Sequence, residues 1–244
     1  MRADVYLVQT GYASSRQRAQ SLIAAGCVTL DGKVLTKPST PIDEGVHEVL
    51  VTDTLRYVGR GGMKLEAALE AFGLDVAGLF AIDIGASTGG FTDCLLQRGC
   101  AHVCAIDAGA DQLAQKLRTD PRVRSLEKTN ARELTLSDVG GVQADLIVMD
   151  VSFISATYIL PRFAELLKPE GHAICLIKPQ FEVGRDKLGK GGIVKDPRAH
   201  QLAIDRVLEA GKAVGLSSLG VIPSPIEGGD GNREFLVHFI FPTP

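Results

Sequence analysis

A chain of 244 residues with 45% hydrophobic and 23% charged residues can build a buried core, which excludes a disordered or low-complexity protein. Its cysteines, Cys27, Cys94, Cys100, Cys104 and Cys175, form no C-x-x-C pair and no apolar run reaches bilayer length, which argues against a zinc site and a membrane span. The net charge of −3 excludes a globally basic coat, but residues 1–40 hold five cations against two anions, a local excess that suits a confined RNA footprint. Scattered thiols and a start, Met1-Arg2-Ala3-Asp4, without an apolar signal region lead us to expect a cytoplasmic protein. The oligomeric state is open, with a monomer as the expectation.

In chain order, Val5, Leu7 and Val8 predict a short helix ending near Gly11. Ser14 and Ser15 are capping residues for a second, whose apolar face is Ala19, Leu22, Ile23 and Ala25, and Gly26 ends it. Arg16 and Arg18 fall in its first turn, where cations oppose the helix dipole, and a phosphate ligand is a reason for them to be there. Val28–Leu30 and Lys33–Leu35 flank Asp31-Gly32, a hairpin signal, and His47–Val51 reads as another strand. The run S-R-x-x-A-x-x-L-I-x-x-G-x-V-x-x-D-G-K resembles the RNA-binding domain first described in a small-subunit ribosomal protein, over about residues 2–50. The resemblance implies that Ser15, Arg16, Arg18 and Lys37 meet RNA phosphates, contacts that position an RNA without choosing its sequence. We therefore expect domains at 1–52 and 61–244, joined by a linker at 53–60.

From residue 61 helices and strands alternate. Helices are expected at 64–72, 91–98, 111–118, 156–167 and 197–213. Strands are expected at 79–84, 102–106, 123–126, 145–149, 172–177, 216–222 and 234–241. Such β-α repeats predict an α/β fold with a parallel sheet covered on both faces. The first sharp motif, Asp83-Ile84-Gly85-Ala86-Ser87-Thr88-Gly89-Gly90-Phe91, turns from strand to helix through glycines that let a ligand approach the backbone. Its G-x-x-x-G-G spacing departs from the dinucleotide pattern, and Asp83 suits a ligand carrying an ammonium group. Asp107, ending the next strand, can accept ribose hydroxyls in either kind of site. Asn130, after the third strand, can bond an adenine or serve only as a turn residue. The stretch Gly184-Arg185-Asp186-Lys187-Leu188-Gly189-Lys190 mimics a P-loop, but Gly191 stands where Ser or Thr must hold magnesium. It reads as a mobile lid able to meet RNA.

Lys64, Asp150, Lys178 and Glu234 form a second constellation. Asp150 and Lys178 end strands, where ligands of parallel sheets bind, and Glu234 reaches the same edge if its strand runs antiparallel. A lysine among carboxylates can orient an oxygen nucleophile and stabilise its developing charge. Lys178 is the candidate for that role, as base or electrostatic partner. Asp150 would hold it and face the donor, and Lys64 and Glu234 would complete the charge pairing.

This set, with D-I-G-A-S-T-G-G-F-T-D, V-M-D-V-S-F-I-S and L-I-K-P-Q-F-E, resembles the TlyA family, ribosomal-RNA 2′-O-methyltransferases with an FtsJ-like catalytic domain and the older label "hemolysin". The resemblance implies a Rossmann-like class I methyltransferase sheet, S-adenosylmethionine as cofactor, no metal, and cytidine 2′-O-methylation in ribosomal RNA or a ribosomal subunit, with the shorter family type acting on large-subunit RNA. It implies donor contacts from Asp83, Gly85, Ser87, Thr88, Gly89, Phe91, Asp107, Asn130, Asp150 and Phe153. The chain departs from the family at Asp107-Ala108-Gly109-Ala110-Asp111-Gln112, which lacks an aromatic, and has Tyr57 where the linker often carries tryptophan. The competing readings are a non-catalytic RNA-binding or ribosome-assembly factor with a relic pocket, a nicotinamide-dependent oxidoreductase, and a pore-forming hemolysin. No amphipathic segment supports the last.

Overall fold

The computed structural model describes residues 1–13, 15–24, 26–43, 45–51, 56–228 and 231–243. They fall into two compact units, Met1–Arg60 and Gly61–Pro244. Among the described residues no helix is long and apolar enough to cross a membrane, and no cluster of His, Cys, Asp and Glu could hold a metal ion.

In the first unit, helices α1 (Ala3–Gln9) and α2 (Arg16–Ala24) pack on a three-stranded sheet of order β2-β1-β3, formed by β1 (Val28–Leu30), β2 (Lys33–Val34) and β3 (Val49–Val51). Leu7, Leu22, Ile23, Val28 and Ile42 fill its core. The β1–β2 turn needs two residues at positive φ, and Asp31 (51°) and Gly32 (74°) supply them. Ser15 caps α2, accepting a hydrogen bond from the Arg18 backbone N–H at 3.1 Å. Ser14, the other expected cap, and Ala25 lie outside the described residues, as do the expected linker positions 53–55.

The second unit is a seven-stranded sheet of order β6-β5-β4-β7-β8-β10-β9. The strands are β4 (Phe80–Ile84), β5 (His102–Ile106), β6 (Val123–Leu126), β7 (Ala144–Met149), β8 (Leu167–Ile177), β9 (Ser217–Pro223) and β10 (Phe235–Ile240). The first five are parallel, whereas β10 runs antiparallel to both β8 and β9, so the sheet is mixed. The chain moves outward from β4 in opposite directions, to β5 and to β7, which opens a crevice at the carboxyl ends of these strands. The helices are α3 (Gly61–Phe72), α4 (Gly90–Gln97), α5 (Gln115–Arg118), α6 (Phe163–Leu166), α7 (Pro179–Glu182) and α8 (Pro197–Ala213). Gly211 of α8 meets the Phe239 ring, and a Cβ there would lie 2.7 Å from Phe239 Cε1. Close packing of this kind leaves Phe239 and Phe163 fully buried.

Two expected helices are shorter than their periodicity suggests. Residues 111–113 are not helical, because the Glu127 carboxylate accepts the backbone N–H groups of Asp111, Gln112 and Leu113. Only Gln115–Arg118 remains as helix. Residues 156–162 form two short 3₁₀ turns before α6, with Pro161 removing a donor that a continuous helix would need.

Candidate active site

The glycine turn after β4 is shaped by packing at both ends. Gly85 has φ 84°, and a Cβ on it would lie 2.3 Å from the Asp150 carbonyl oxygen, so only glycine lets β4 and β7 leave the sheet side by side. Gly89 has φ 97° at the start of α4, where a Cβ would strike Leu117 of α5 at 2.2 Å.

Above this turn lies a cavity of about 540 Å³, within the roughly 300–1,000 Å³ range of small-molecule clefts. Six of the ten expected donor-contact residues line it: Gly85, Ser87, Asp107, Asn130, Asp150 and Phe153. Asp107 is held across its mouth by backbone N–H groups of Ser87 and Gly109, both at 2.7 Å. Each of its oxygens keeps a lone pair for a further donor, as a ribose diol requires. Asn130 lines the wall, but its side chain accepts the Arg132 N–H at 3.2 Å and donates to Glu133 at 2.9 Å, so its turn-forming role is realised here. Phe153 is 91% exposed, with φ 65° and its ring 5.4 Å from that of Phe181.

The other four lie off the cavity wall. Thr88 gives its carbonyl to the Ala114 N–H, Gly89 packs on α5, and Phe91 is buried against Gly61 of α3. Asp83 is fully buried beneath the turn, with Thr92 Oγ1 donating to one oxygen at 2.6 Å and no partner on the other. Burial, opposed by the Thr92 hydrogen bond and reinforced by the charges of Asp150 and Asp107, pushes its carboxyl up to about 7. An orphaned acidic oxygen under the glycine turn and a pinned carboxylate at the mouth suit a ligand with a cationic end and a ribose, which is the chemistry of S-adenosylmethionine.

The four charged residues come to one edge of the sheet as two ion pairs. Asp150 follows β7, Lys178 follows β8, and Phe235 pairs with Ile177, which sets Glu234 at the same end of the antiparallel strand. Lys178 Nζ lies 2.6 Å from Asp150 Oδ1, outside hydrogen-bond geometry, and donates to Ser152 Oγ at 2.8 Å. Lys64, on the buried face of α3, donates to Glu234 Oε2 at 2.5 Å, with both side chains nearly inaccessible. Of the four, Asp150 lines the cavity; Lys64 and Glu234 are buried next to β10 and β8.

Sequence reasoning missed three residues. Ser152, two positions past Asp150, holds Lys178. Glu182, four past Lys178, is buried and accepts from Ser155 Oγ and the Ala156 N–H. Asn232, two before Glu234, accepts from the Val194 N–H at 2.9 Å and donates to the Gly192 carbonyl at 3.2 Å. The last contact ties the far end of 184–195, the stretch read as a lid, to the loop that carries Glu234. Adjacency to a candidate residue was the only sequence signal for any of them.

In the first unit, Arg16 is committed to a buried acid. Asp4 accepts two hydrogen bonds from Arg2 and one each from Arg16 and Gln20, and these bonds, Arg2 first, hold its carboxyl far below the usual range. Arg2 and Arg16 remain half exposed and so share one anchored surface. Lys37 is exposed, and the Ser15 side chain is used as a cap.

A model of the FtsJ-like methyltransferase family matches residues 57–241, and one of the S4 domain matches residues 1–47. The 16S/23S rRNA (cytidine-2′-O)-methyltransferase TlyA of Mycobacterium tuberculosis is 46% identical over 237 residues, covering 97% of this chain and 88% of that protein. Hemolysin A of Brachyspira hyodysenteriae is 41% identical over 240 residues, covering 98% of this chain and 100% of that one. A solved structure from Streptococcus thermophilus, described as a hemolysin on provisional grounds, superposes with a TM-score of 0.79 at 42% identity, covering 99% of this chain and 88% of the other. With its glycine turn, its two ion pairs and an S4 domain ahead of them, the chain belongs to the TlyA family of FtsJ-like, S-adenosylmethionine-dependent methyltransferases.

Proposed function

We propose that this protein methylates the ribose 2′-hydroxyl of a cytidine in ribosomal RNA, with large-subunit RNA as substrate. The observation that carries the reading is the Asp150–Lys178 pair at the edge of the cavity, backed by the buried Lys64–Glu234 pair. Large-subunit RNA is common to two relatives, the M. tuberculosis 16S/23S enzyme and a 33% identical 23S rRNA (cytidine-2′-O)-methyltransferase TlyA of Campylobacter jejuni.

S-adenosylmethionine, when bound, supplies a methyl carbon already activated by the sulfonium, so the protein's task is to position and deprotonate the acceptor. Asp107 would receive the donor's ribose, and the backbone at Gly85 and Ser87 would hold its methionine end. Lys178 Nζ is held 2.6 Å from the Asp150 carboxylate and donates to Ser152 Oγ. In this arrangement Lys178 acts on the 2′-oxygen by charge and hydrogen bonding. Asp150 takes the hydroxyl proton as the oxygen becomes acidic. Lys64 and Glu234 fix the strand ends on which this geometry depends. Arg16, Arg18 and Lys37, joined by Arg2, bind RNA phosphates on the S4 unit, where Ser15 presents Arg16 and Arg18 by capping α2.

The test is to incubate the protein with methyl-labelled donor and purified ribosomal subunits or naked ribosomal RNA, then map the labelled ribose. Label on a large-subunit cytidine 2′-oxygen supports the reading. Donor binding without transfer to any ribosomal RNA refutes it and favours a non-catalytic assembly factor. In the same assay, replacing Arg16 and Arg18 together by alanine should weaken RNA binding and flatten its salt dependence, by about one log–log unit per lost phosphate contact.

Asp83 gives a pH signature. Its folded pKa of about 7 lies above the ordinary 3.8, so the stability it contributes is complete below pH 4 and is lost as pH rises toward 7. A cationic donor above the turn favours the carboxylate and pulls this pKa down. Donor binding near pH 7 should therefore release a proton, seen as a binding enthalpy that varies with the buffer's ionisation heat. Asp83→Asn should abolish that variation. A buffer-independent enthalpy in the parent would remove Asp83 from the donor's field.

A further inference from the structure

We infer that Glu182 is a positioning residue that holds the loop between Asp150 and Ala156 in the shape needed to form the wall of the donor cavity and to seat Ser152 under Lys178; this rests on the methyltransferase reading above. The loop carries three functions in five residues. Val151, Ser152, Phe153 and Ile154 line the cavity, Ser152 accepts the Lys178 ammonium, and Phe153 projects into solvent. Its start is fixed to the sheet, where the Asp150 N–H donates to the Ile84 carbonyl at 2.9 Å.

Within the loop Val151 and Ile154 pack against the core, but Ser152 and Phe153 between them are exposed. Phe153 adopts φ 65°, a conformation that costs a non-glycine residue on the order of 1–3 kcal/mol and persists only where the surroundings impose it. With its ring almost wholly exposed, Phe153 cannot repay that cost by burial. The restraint comes from the far end. Glu182 Oε1 accepts the Ala156 N–H at 2.8 Å, and Oε2 accepts the Ser155 hydroxyl at 2.5 Å. Ser155 Oγ in turn contacts Thr157 Oγ1 at 2.7 Å and accepts the Thr157 N–H at 3.1 Å, so one carboxylate organises three successive residues.

The other end of the strut is anchored too. Glu182 closes α7, the single turn that begins directly after Lys178, and its backbone carbonyl accepts a hydrogen bond from Arg206 of α8. Glu182 thereby couples the strand end that bears Lys178 to the loop that bears Asp150 and Ser152. A side chain only 4% exposed would be cheaper as leucine if packing were its whole purpose, since burying a carboxylate is costly. Two directed hydrogen bonds are what a leucine could not supply.

Three variants separate the strut from its alternatives. Glu182→Gln retains an acceptor for the Ala156 N–H and can donate its amide N–H to Ser155 Oγ, with the Ser155 hydroxyl turning toward Thr157. Glu182→Leu keeps the volume and loses both bonds, and Ser155→Ala removes one. The first readout is donor affinity by calorimetry with S-adenosylmethionine and no RNA, which stands even if the proposed RNA substrate is wrong. The second is the split between kcat and KM on RNA, with melting temperature alongside. We expect Glu182→Gln within about threefold of parent, and Glu182→Leu folded but weaker in donor binding by about tenfold and in kcat by about 100-fold, the size of effect that an ångström of misplacement produces. Ser155→Ala should fall between them, and it carries the test if the leucine variant does not fold. A leucine variant with parental donor affinity and turnover overturns the inference. So does a glutamine variant as impaired as the leucine one, because the charge rather than the hydrogen bonds would then be what matters. A parent protein that binds donor but methylates no RNA would instead sink the functional reading and leave the donor-affinity comparison intact.

Discussion

Lys178→Ala is expected to lower kcat by about 10³-fold while the affinity for S-adenosylmethionine stays within about threefold, measured by single-turnover methyl transfer and by calorimetry. Removing one preorganised donor from a developing oxyanion costs about 10²–10³ in rate, and Lys178 supplies a full charge as well as a hydrogen bond. Lys178 itself is not part of the cavity wall, and the groups proposed to hold the donor, on the β4 turn and at Asp107, stay in place, so the ground-state complex should lose little. The variant should fold. Its former partner Asp150 keeps about a fifth of its side-chain surface in contact with solvent, so water can hydrate the freed carboxylate. Normal turnover in this variant would remove Lys178 from the chemistry, and a matching collapse of donor affinity would make it a binding residue instead.

Glu234→Ala is expected to lower both activity and stability, the latter by about 3–5 kcal/mol, because it leaves the Lys64 ammonium buried without its counter-charge. For a unit of this size that corresponds to a fall in melting temperature of about 10 °C. The pair has little room to adjust: the Glu234 carboxylate fills the space against Gly228, where a Cβ would lie 2.4 Å from Oε1. Replacing both partners with apolar residues, Lys64→Met with Glu234→Leu, removes the unpaired charge and should recover most of the lost stability without restoring turnover. That divergence would assign the pair a positioning role in addition to its contribution to stability. A Glu234→Ala protein that melts within 2 °C of its parent would mean that Lys64 finds water or another partner, and the pair would then not be the buried element described above.

Much of this site could be read in the chain before folding. Asp83-Ile84-Gly85 had to turn from strand to helix, Asp150 and Lys178 had to end strands, and Asp31-Gly32 had to make a hairpin, because each signal is local and depends on side-chain periodicity or on glycine's access to positive φ. The misjudged segments are those in which a distant group competes for the backbone. Residues 111–113 give their N–H groups to Glu127 rather than to a helix. The stretch 184–195 is tied down by Asn232, forty residues away at the Gly192 contact. Arg16, expected to meet RNA phosphates, also has a side-chain partner twelve residues away in Asp4, which no local pattern shows.

By itself the sequence determined the order of elements, the glycine turn that a ligand could approach and the identity of the four charged residues, all properties of short runs of chain. Only the tertiary structure decided how close and how buried the expected pairs are: Lys64 with Glu234 across 170 residues and almost inaccessible, and Lys178 with Asp150 at the cavity edge. It also decided that Asp83 lies beneath the cavity and that Glu182 braces the loop above it. The physical reason is that electrostatic partnership and desolvation depend on distance in space, and that distance is set by strand order and by the antiparallel return of β10, which no local pattern encodes.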